Sequence, residues 1–541
     1  MIKKIMSEMT LREKIGQTGM PNPRFVGEGI KEYGSLGAYF SKYPFTGFYL
    51  NKENMIDKDG NVYTEPSDSA KAIKEASEMI KIPLLVSCDC ERGAKPMYQE
   101  FHQIASNMAL GAARSKELAR KRAYYWAREL KSMGANWPFG PVVDPLTNFF
   151  DSSGVRSISD QPEIICDLIP SIIQGIYDAG LGTCPKHFPS HPGKEYRDSH
   201  IANTTIESSL EEWRERCKPI WKTVVESGAD GIMTGHMTFP AVEPALSKGK
   251  PIPGGASKKV LDLLREELGY DGVIITDDCG MKSLSSVFDY EDIYINCFNA
   301  GSDIILFCQN DYIDVMEKAV QEGKVSEAQI DKSVERILKL KQKLGLFDGV
   351  EVAPKLTEEE QKDFEQVCYD IAKKGLTLIT NYSNTIPFDA AKVKKATIIN
   401  VSVDPRFLKD LEAMVDAFAE RGIEATIIDG LKSKAHLKEI ADANDIIIYA
   451  CYLKAGFQGL QWFSRVEDFN TLFHSLSSGA EKSVVASFSS ASVYYNYFEN
   501  TPTYINAYSN CIGTMRAFVD GILGEFEFTG TSPVALKPEF K

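Results

Sequence analysis

Apolar positions over the first 345 residues alternate between short continuous runs and stretches with 3.6-residue spacing, which predicts strands alternating with helices. The strand candidates lie at residues 46–50, 82–89, 135–144, 181–187, 230–236, 273–277 and 302–307. Among the helices, Ser257 caps one whose apolar face is Val260, Leu261, Leu264 and Leu268, and Gly269 stops it. Ser208 and Glu211 form a capping box ahead of Leu210, Trp213, Cys217, Ile220 and Val224. This alternation predicts an α/β fold, a (β/α)8 TIM-type barrel, with a doubly wound open sheet as the alternative.

From residue 346 to 360 the rhythm is lost in a charged, loop-like stretch with Gly349, Pro354 and three consecutive glutamates, which marks a domain boundary. Beyond it, strand patterns at 376–380, 396–401, 425–428, 446–449, 484–487 and 504–508 separate helical ones such as Leu408, Leu411, Val415 and Phe418. The predicted organisation is a catalytic barrel at 1–345, a linker and connecting helix at 346–374, and a smaller αβα sandwich at 375–541.

Several strand candidates of the first domain end on ionisable residues: Asp89, Asp144, His187, His236 and Asp277. A carboxylate costs several kcal/mol to bury unpaired, so Asp277-Asp278 after a β-branched run is either the turn before the next helix or a site. Strand alternation sends the two to opposite faces, so at most one points inward. Four histidines, His187, His191, His200 and His236, fall close together in sequence. Pro192 and Gly193 make 191–200 a loop, on which Asp198 and His200 can hydrogen-bond. A carboxylate placed there orients the imidazole and stabilises its charged form, as general acid/base work needs. The rival reading, zinc held by His187 and His191, has helical spacing, but Pro189 and Pro192 deny the helix.

A formal charge of −14 argues against nucleic acid or an anionic membrane surface as partner. No segment approaches the ~20 apolar residues of a membrane span, so no membrane insertion is expected. The N-terminus lacks the apolar core of a signal peptide. Eleven cysteines without paired metal-type spacing fit reduced thiols in a cytoplasmic protein. Dinucleotide and P-loop glycine motifs and Gly-x-Ser-x-Gly are absent, and no cofactor is expected. The polar run Asp57-Lys58-Asp59-Gly60-Asn61 lacks the closing Glu of a calcium loop and reads as a surface turn.

Motifs in order along nearly the whole chain resemble glycoside hydrolase family 3, in its bacterial β-N-acetylglucosaminidase branch. They are Thr10-Leu11-Arg12-Glu13-Lys14-Ile15-Gly16-Gln17, Pro141-Val142-Val143-Asp144-Pro145, Arg156-Ser157, Lys186-His187-Phe188-Pro189, Asp198-Ser199-His200, Met233-Thr234-Gly235-His236 and Gly272 to Asp278 with Met281. Gly375-Leu376-Thr377-Leu378-Ile379, Ala507-Tyr508-Ser509 and Pro533-Val534 extend it through the second domain. The resemblance implies a retaining glycosidase with Asp277 as nucleophile and His200, held by Asp198, as acid/base. Asp89, Arg156, Lys186 and His187 would hold the terminal sugar, and His236 is grouped with them. The implied substrate is a small carbohydrate, terminal GlcNAc on short sugars such as muropeptides. Other branches place a Glu of the second domain in the acid/base role. Glu91-Arg92-Gly93 and Ser190-His191-Pro192 depart from the family's Glu-Gly-Gly and Gly-His-Gly. A His-Asp dyad leaves less fixed negative charge near the incoming nucleophile, which keeps phosphorolysis open. A β-glucosidase or β-xylosidase of the family, or a catalytically silent sugar-binding protein, are the alternatives.

Overall fold

A computed structural model describes residues 1–147, 154–191, 195, 197–402, 404–453 and 466–537. The chain forms two compact units: Met1–Phe101, Ala123–Asp144 and Ile169–Thr357 make the first, while His102–Arg122, Pro145–Leu168 and Glu358–Lys541 make the second. Both are α/β.

In the first unit, short parallel strands follow one another with helices between. Gly19–Pro21 pairs with Ile305–Cys308, Gly47–Tyr49 with Leu85–Ser87, and Lys186–Phe188 with Gly231–Thr234, which pairs in turn with Val273–Thr276. Backbone hydrogen bonds link these pieces in sequence: Thr46 N to Gly19 O, Leu85 N to Thr46 O, Asn136 N to Val86 O, Gly182 N to Asn136 O, and Gly231 N to Thr183 O. Val273 N to Asp230 O, Asp303 N to Ile274 O and Ile305 N to Thr18 O continue the series back to the first strand. The strand at Gly19–Pro21 has no strong apolar run and was absent from the pattern above. Residues 135–144 are extended and bonded on both sides without being a regular strand, apart from the bridge of Val142 to Lys186.

One buried cluster draws Met20, Leu85, Trp137, Phe139, Cys184, Met233, Val273, Ile275, Ile304 and Leu306 from these segments. Val273 and Ile275 share it, so the two-residue period puts Asp277 on the same side and Asp278 on the other. The helix before this strand is capped by Ser257 Oγ, which accepts from Val260 N at 3.3 Å, and it stops at Gly269 with φ +68°. The capping expectation further back needs correction by one residue: Ser209, not Ser208, accepts from a helix N–H, that of Glu212 at 3.1 Å. A serine one place later puts Trp213, fully buried, on the inner face.

The second unit holds a six-stranded sheet in the order Thr377–Asn381, Thr503–Asn506, Ser483–Ser487, Ile446–Cys451, Lys395–Val401, Glu424–Ile428. All neighbours are parallel except the first pair. Alternate residues feed two cores: Ile398, Ile448, Val484 and Ile505 enter one, and Ile399, Ile447, Val485 and Tyr504 the other. Both faces of this sheet are therefore covered, as the continuous β-branched runs require. No helix among the described residues is long and apolar enough to cross a membrane.

Candidate active site

Four strand ends of the first unit meet around Asp277. Its backbone N–H bonds Thr234 O at 2.9 Å on the neighbouring strand, and Asp278 N donates to Asp277 Oδ1 at 2.8 Å. His187 Nε2 lies 4.0 Å from Asp277 Oδ2. The other ring nitrogen of His187 is 2.7 Å from Asp144 Oδ2, and Asp144 also accepts from His187 N at 3.2 Å and Ser190 Oγ at 2.5 Å. Asp144 thus fixes which way the imidazole faces. Burial alone would raise the Asp144 carboxyl, but His187, Ser190 and His191 outweigh it and hold it below its usual range. The turn that follows is pinned by two indoles, since Trp213 Nε1 and Trp221 Nε1 both donate to Pro189 O, at 2.8 and 3.1 Å.

The pair Asp277 and Asp278 splits electrostatically. Burial pushes Asp277 up, yet the fields of His187, His236 and His200 and the Asp278 N–H bring it below the usual carboxylate range, so it is an anion at neutral pH. Asp278 is pushed up to about 6, chiefly by burial and also by the charge of Asp277, against the pull of the Gly280 N–H at 2.6 Å.

His236 sits wholly buried beside the pair. Neither of its ring nitrogens makes a well-formed hydrogen bond among the described residues, although the Asp277 carboxylate and the Asp277–Asp278 backbone favour its charged form. Burial nonetheless lowers its pKa. Gly255 leaves the space it fills, because a Cβ there would stand 2.5 Å from His236 Nδ1.

On the loop after the Lys186–Phe188 strand, His200 Nδ1 is 2.6 Å from Asp198 Oδ1, which also accepts from His200 N at 2.9 Å. Asp198 is buried while the His200 side chain keeps 38 % of its exposure. The loop is tied to the segment after Asp277 through Lys282 N and His200 O at 3.0 Å, and to the next strand end through Thr238 N and Thr204 O at 2.9 Å. Pro192 and Gly193, which predicted the loop, lie outside the described residues.

Lys186 is buried between Asp89, with which it forms a short charged hydrogen bond, and Glu91, at 2.8 Å. Tyr49 OH donates to Asp89 Oδ2 at 3.0 Å. Asp277, His187, His200, Asp198, His236, Lys186 and Asp89 therefore all belong to the first unit, and a chain of fields and hydrogen bonds connects the first five. Arg156 lies in the second unit, on the turn Gly154–Arg156, where its carbonyl accepts from Asn107 Nδ2. Asp144, Glu91, Tyr49 and Ser190 were not among the expected site residues. Asp144 carried a signal, as an ionisable strand end; Glu91, Tyr49 and Ser190 carried none, being distant in sequence from the groups they bond or ordinary polar residues. Among the described residues, no three His, Cys, Asp or Glu side chains converge as metal ligands would.

The glycosyl hydrolase family 3 N terminal domain matches residues 10–340. The chain belongs to glycosyl hydrolase family 3. A Cellulomonas fimi enzyme named beta-N-acetylglucosaminidase/beta-glucosidase is 26% identical over 490 residues, covering 86% of each chain. The solved structure of a glycoside hydrolase family 3 beta-N-acetylglucosaminidase from Paenibacillus sp. superposes with a TM-score of 0.80 at 26% identity, covering 98% of this chain and 99% of that one. A beta-glucoside phosphorylase shares the fold, with a TM-score of 0.84 at 21% identity over 99% and 96% of the two chains. Membership in family 3 makes this protein a glycoside hydrolase.

Proposed function

We propose that this family 3 protein is a retaining exo-β-N-acetylglucosaminidase that releases terminal GlcNAc from short sugars, muropeptides among them, through an aspartyl glycosyl-enzyme. The observation that carries the reading is an ionised, partly buried Asp277 beside a His200–Asp198 pair, with Asp278 on the opposite side of the strand and held at a higher pKa. Retention needs a carboxylate to attack the anomeric carbon and a group that first protonates the leaving oxygen and then activates water. Asp277 takes the first role. His200 takes the second, with Asp198 orienting its ring and favouring imidazolium. The hydroxyls of the sugar fall to Asp89, Lys186 and His187, and His236 backs the nucleophile. The names of the Cellulomonas and Paenibacillus relatives support the GlcNAc preference.

The architecture in this reading is a (β/α)8 barrel drawn from within 1–345, whose segments 102–122 and 145–168 group with the second unit, a connecting linker and helix at 346–374, and an αβα sandwich at 375–541. The hydrogen bonds that return from Ile305 to Thr18 support the barrel, and the two cores support the sandwich. Free cysteines, nine of the eleven buried, suit a cytoplasmic setting. The double name of the Cellulomonas relative favours β-glucosidase as a second reading.

Nitrophenyl glycosides of GlcNAc, glucose and xylose separate these readings, with phosphate added to detect sugar phosphate. Highest kcat/KM on the GlcNAc glycoside is expected; preference for glucose installs the second reading. His200→Ala should hurt a GlcNAc disaccharide far more than the nitrophenyl glycoside, whose leaving group departs without full protonation. Azide should restore part of the lost turnover. Equal losses on both substrates with no response to azide would move the acid/base elsewhere.

A further inference from the structure

We propose that Glu195 is the positioning residue of the loop that carries His200, holding Asp198 and His200 in place by tying the outgoing limb of that loop to its return limb at Thr205. The inference rests on the reading of His200 as acid/base. Glu195 stands between the Lys186–Pro189 and Asp198–His200 motifs and belongs to neither.

The return limb has its own anchor. Thr205 bridges Thr238, on the chain just past the strand Gly231–Thr234: Thr238 N donates to Thr204 O at 2.9 Å, Ile206 N to Thr238 O at 2.7 Å, and Thr238 Oγ1 to Thr205 Oγ1 at 3.0 Å. One carboxylate joins the outgoing limb to this anchor. Glu195 Oε2 accepts from Thr205 N at 3.1 Å, and Arg197 closes on the same carboxylate with Nε on Oε1 at 3.0 Å and Nη2 on Oε2 at 2.6 Å. Arg197 N also donates to Oε1 at 3.0 Å, which fixes the backbone directly before Asp198. A guanidinium–carboxylate fork of this kind restricts direction as well as distance. The Glu195 side chain keeps only 7% of its exposure, while that of Arg197 keeps 50%. Burial would raise the Glu195 carboxyl, but Arg197 and the Thr205 N–H bring it down to about 2, so the tie is fully charged wherever a histidine titrates.

Between the two limbs stand Asp198 and His200. Asp198 O accepts from Ile201 N at 3.2 Å and Ala202 N at 2.9 Å, so the turn that presents the imidazole is built on the residue next to Arg197. Proton transfer needs a heavy-atom approach of ~2.6–3.2 Å, and a displacement of about 1 Å is enough to lose most of it. Without the tie, loop conformations that misplace the ring compete with the one that presents it, and the rate falls with the fraction that remains competent. Asp89, Lys186 and His187, which hold the terminal sugar in this reading, lie outside the loop, so KM should change less than kcat.

The test compares Glu195→Ala, Glu195→Gln, His200→Ala and the double variant Glu195→Ala/His200→Ala on nitrophenyl GlcNAc and on a GlcNAc disaccharide, with Tm measured for each. Glu195→Ala should lower kcat on the disaccharide by about tenfold or more and on the nitrophenyl glycoside clearly less, and azide should restore part of the nitrophenyl loss. Glu195→Gln keeps an acceptor for Thr205 N without the charge and should fall between Glu195→Ala and wild type. Added to His200→Ala, Glu195→Ala should cost nothing further, because no imidazole is left to position. A merely structural residue would lower both substrates equally and add its loss to that of His200→Ala. Equal losses on both substrates, an additive double variant, or an unchanged rate in folded Glu195→Ala would overturn the proposal while His200→Ala alone still shows the leaving-group pattern. If His200→Ala itself lacks that pattern, the acid/base reading fails first and the proposal with it. Should Glu195→Ala fail to fold, Arg197→Gln, which removes the fork and leaves the Thr205 contact, carries the same comparison.

Discussion

Asp278→Asn should stabilise the protein at neutral pH and leave it unchanged in acid. The folded protein moves this carboxyl from its usual 3.8 to about 6, mostly by burial. The folded state therefore holds its proton more tightly than the unfolded chain does. Stability falls as pH rises from about 4 to about 6, and the loss persists above that. At about 1.4 kcal/mol per tenfold change in acidity, the ionised residue costs about 3 kcal/mol, an upper figure because the side chain keeps some solvent contact. An asparagine has no proton to lose, and its Oδ1 can still accept from Gly280 N. The variant should match wild type at pH 4 and exceed it by up to about 3 kcal/mol, about 5 °C in Tm, at pH 7.5. Thermal unfolding of both proteins at the two pH values measures this directly. Equal Tm at pH 7.5, or the same difference at both values, would refute the argument that Asp278 is ionised under strain. Turnover of the variant should stay within about tenfold of wild type, since the proposed mechanism assigns the attack to Asp277 on the opposite side of the strand.

Three further substitutions probe the same site. Asp277→Asn should lose at least ~10³ in kcat on nitrophenyl GlcNAc, for no neighbouring carboxylate is ionised and in place to replace it; near-normal turnover would shift the nucleophile by one residue. Asp144→Ala removes charged hydrogen bonds worth ~1.5–3 kcal/mol from His187, so kcat/KM should fall ~10–100-fold with far-UV circular dichroism unchanged. Gly255→Ala forces a Cβ to within 2.5 Å of the buried His236 ring, and should cost ~1–3 kcal/mol by thermal unfolding together with a loss of kcat/KM.

The strands that supply chemistry were readable because each ends a β-branched or apolar run on a charged residue, as at Val273–Thr276 before Asp277. The choice between Asp277 and Asp278 was half readable: the two-residue period separates them, and only burial and His187 distinguish their ionisation. Gly19–Pro21 escaped notice because glycine and proline carry no strand signal, and its neighbours Ile305 and Leu306 define it. The dyad of Asp198 and His200 is local, two residues apart, and so was visible. The Asp144–His187 and Glu91–Lys186 pairs span 43 and 95 residues, and nothing in a single sequence reports such distances. The one-residue error at Ser208 arose because adjacent serines at 208 and 209 offer equivalent caps, and packing of Trp213 decides between them.

The chain passes between the two units five times, because residues 102–122 and 145–168 belong to the second while the segments around them belong to the first. During synthesis, those two excursions emerge long before residues 358–541 that complete their unit. At ~5–20 residues per second, the wait for the last 184 residues is roughly 10–40 s. Throughout it, side chains that end up buried, such as Met108, Leu110, Ile158 and Ile165, have no finished core to enter. A fragment cut near Asp348 would be held permanently in that state. The nascent enzyme should therefore depend on chaperones in a way that no property of the finished active site reveals, and a single cut between domains cannot yield two clean pieces.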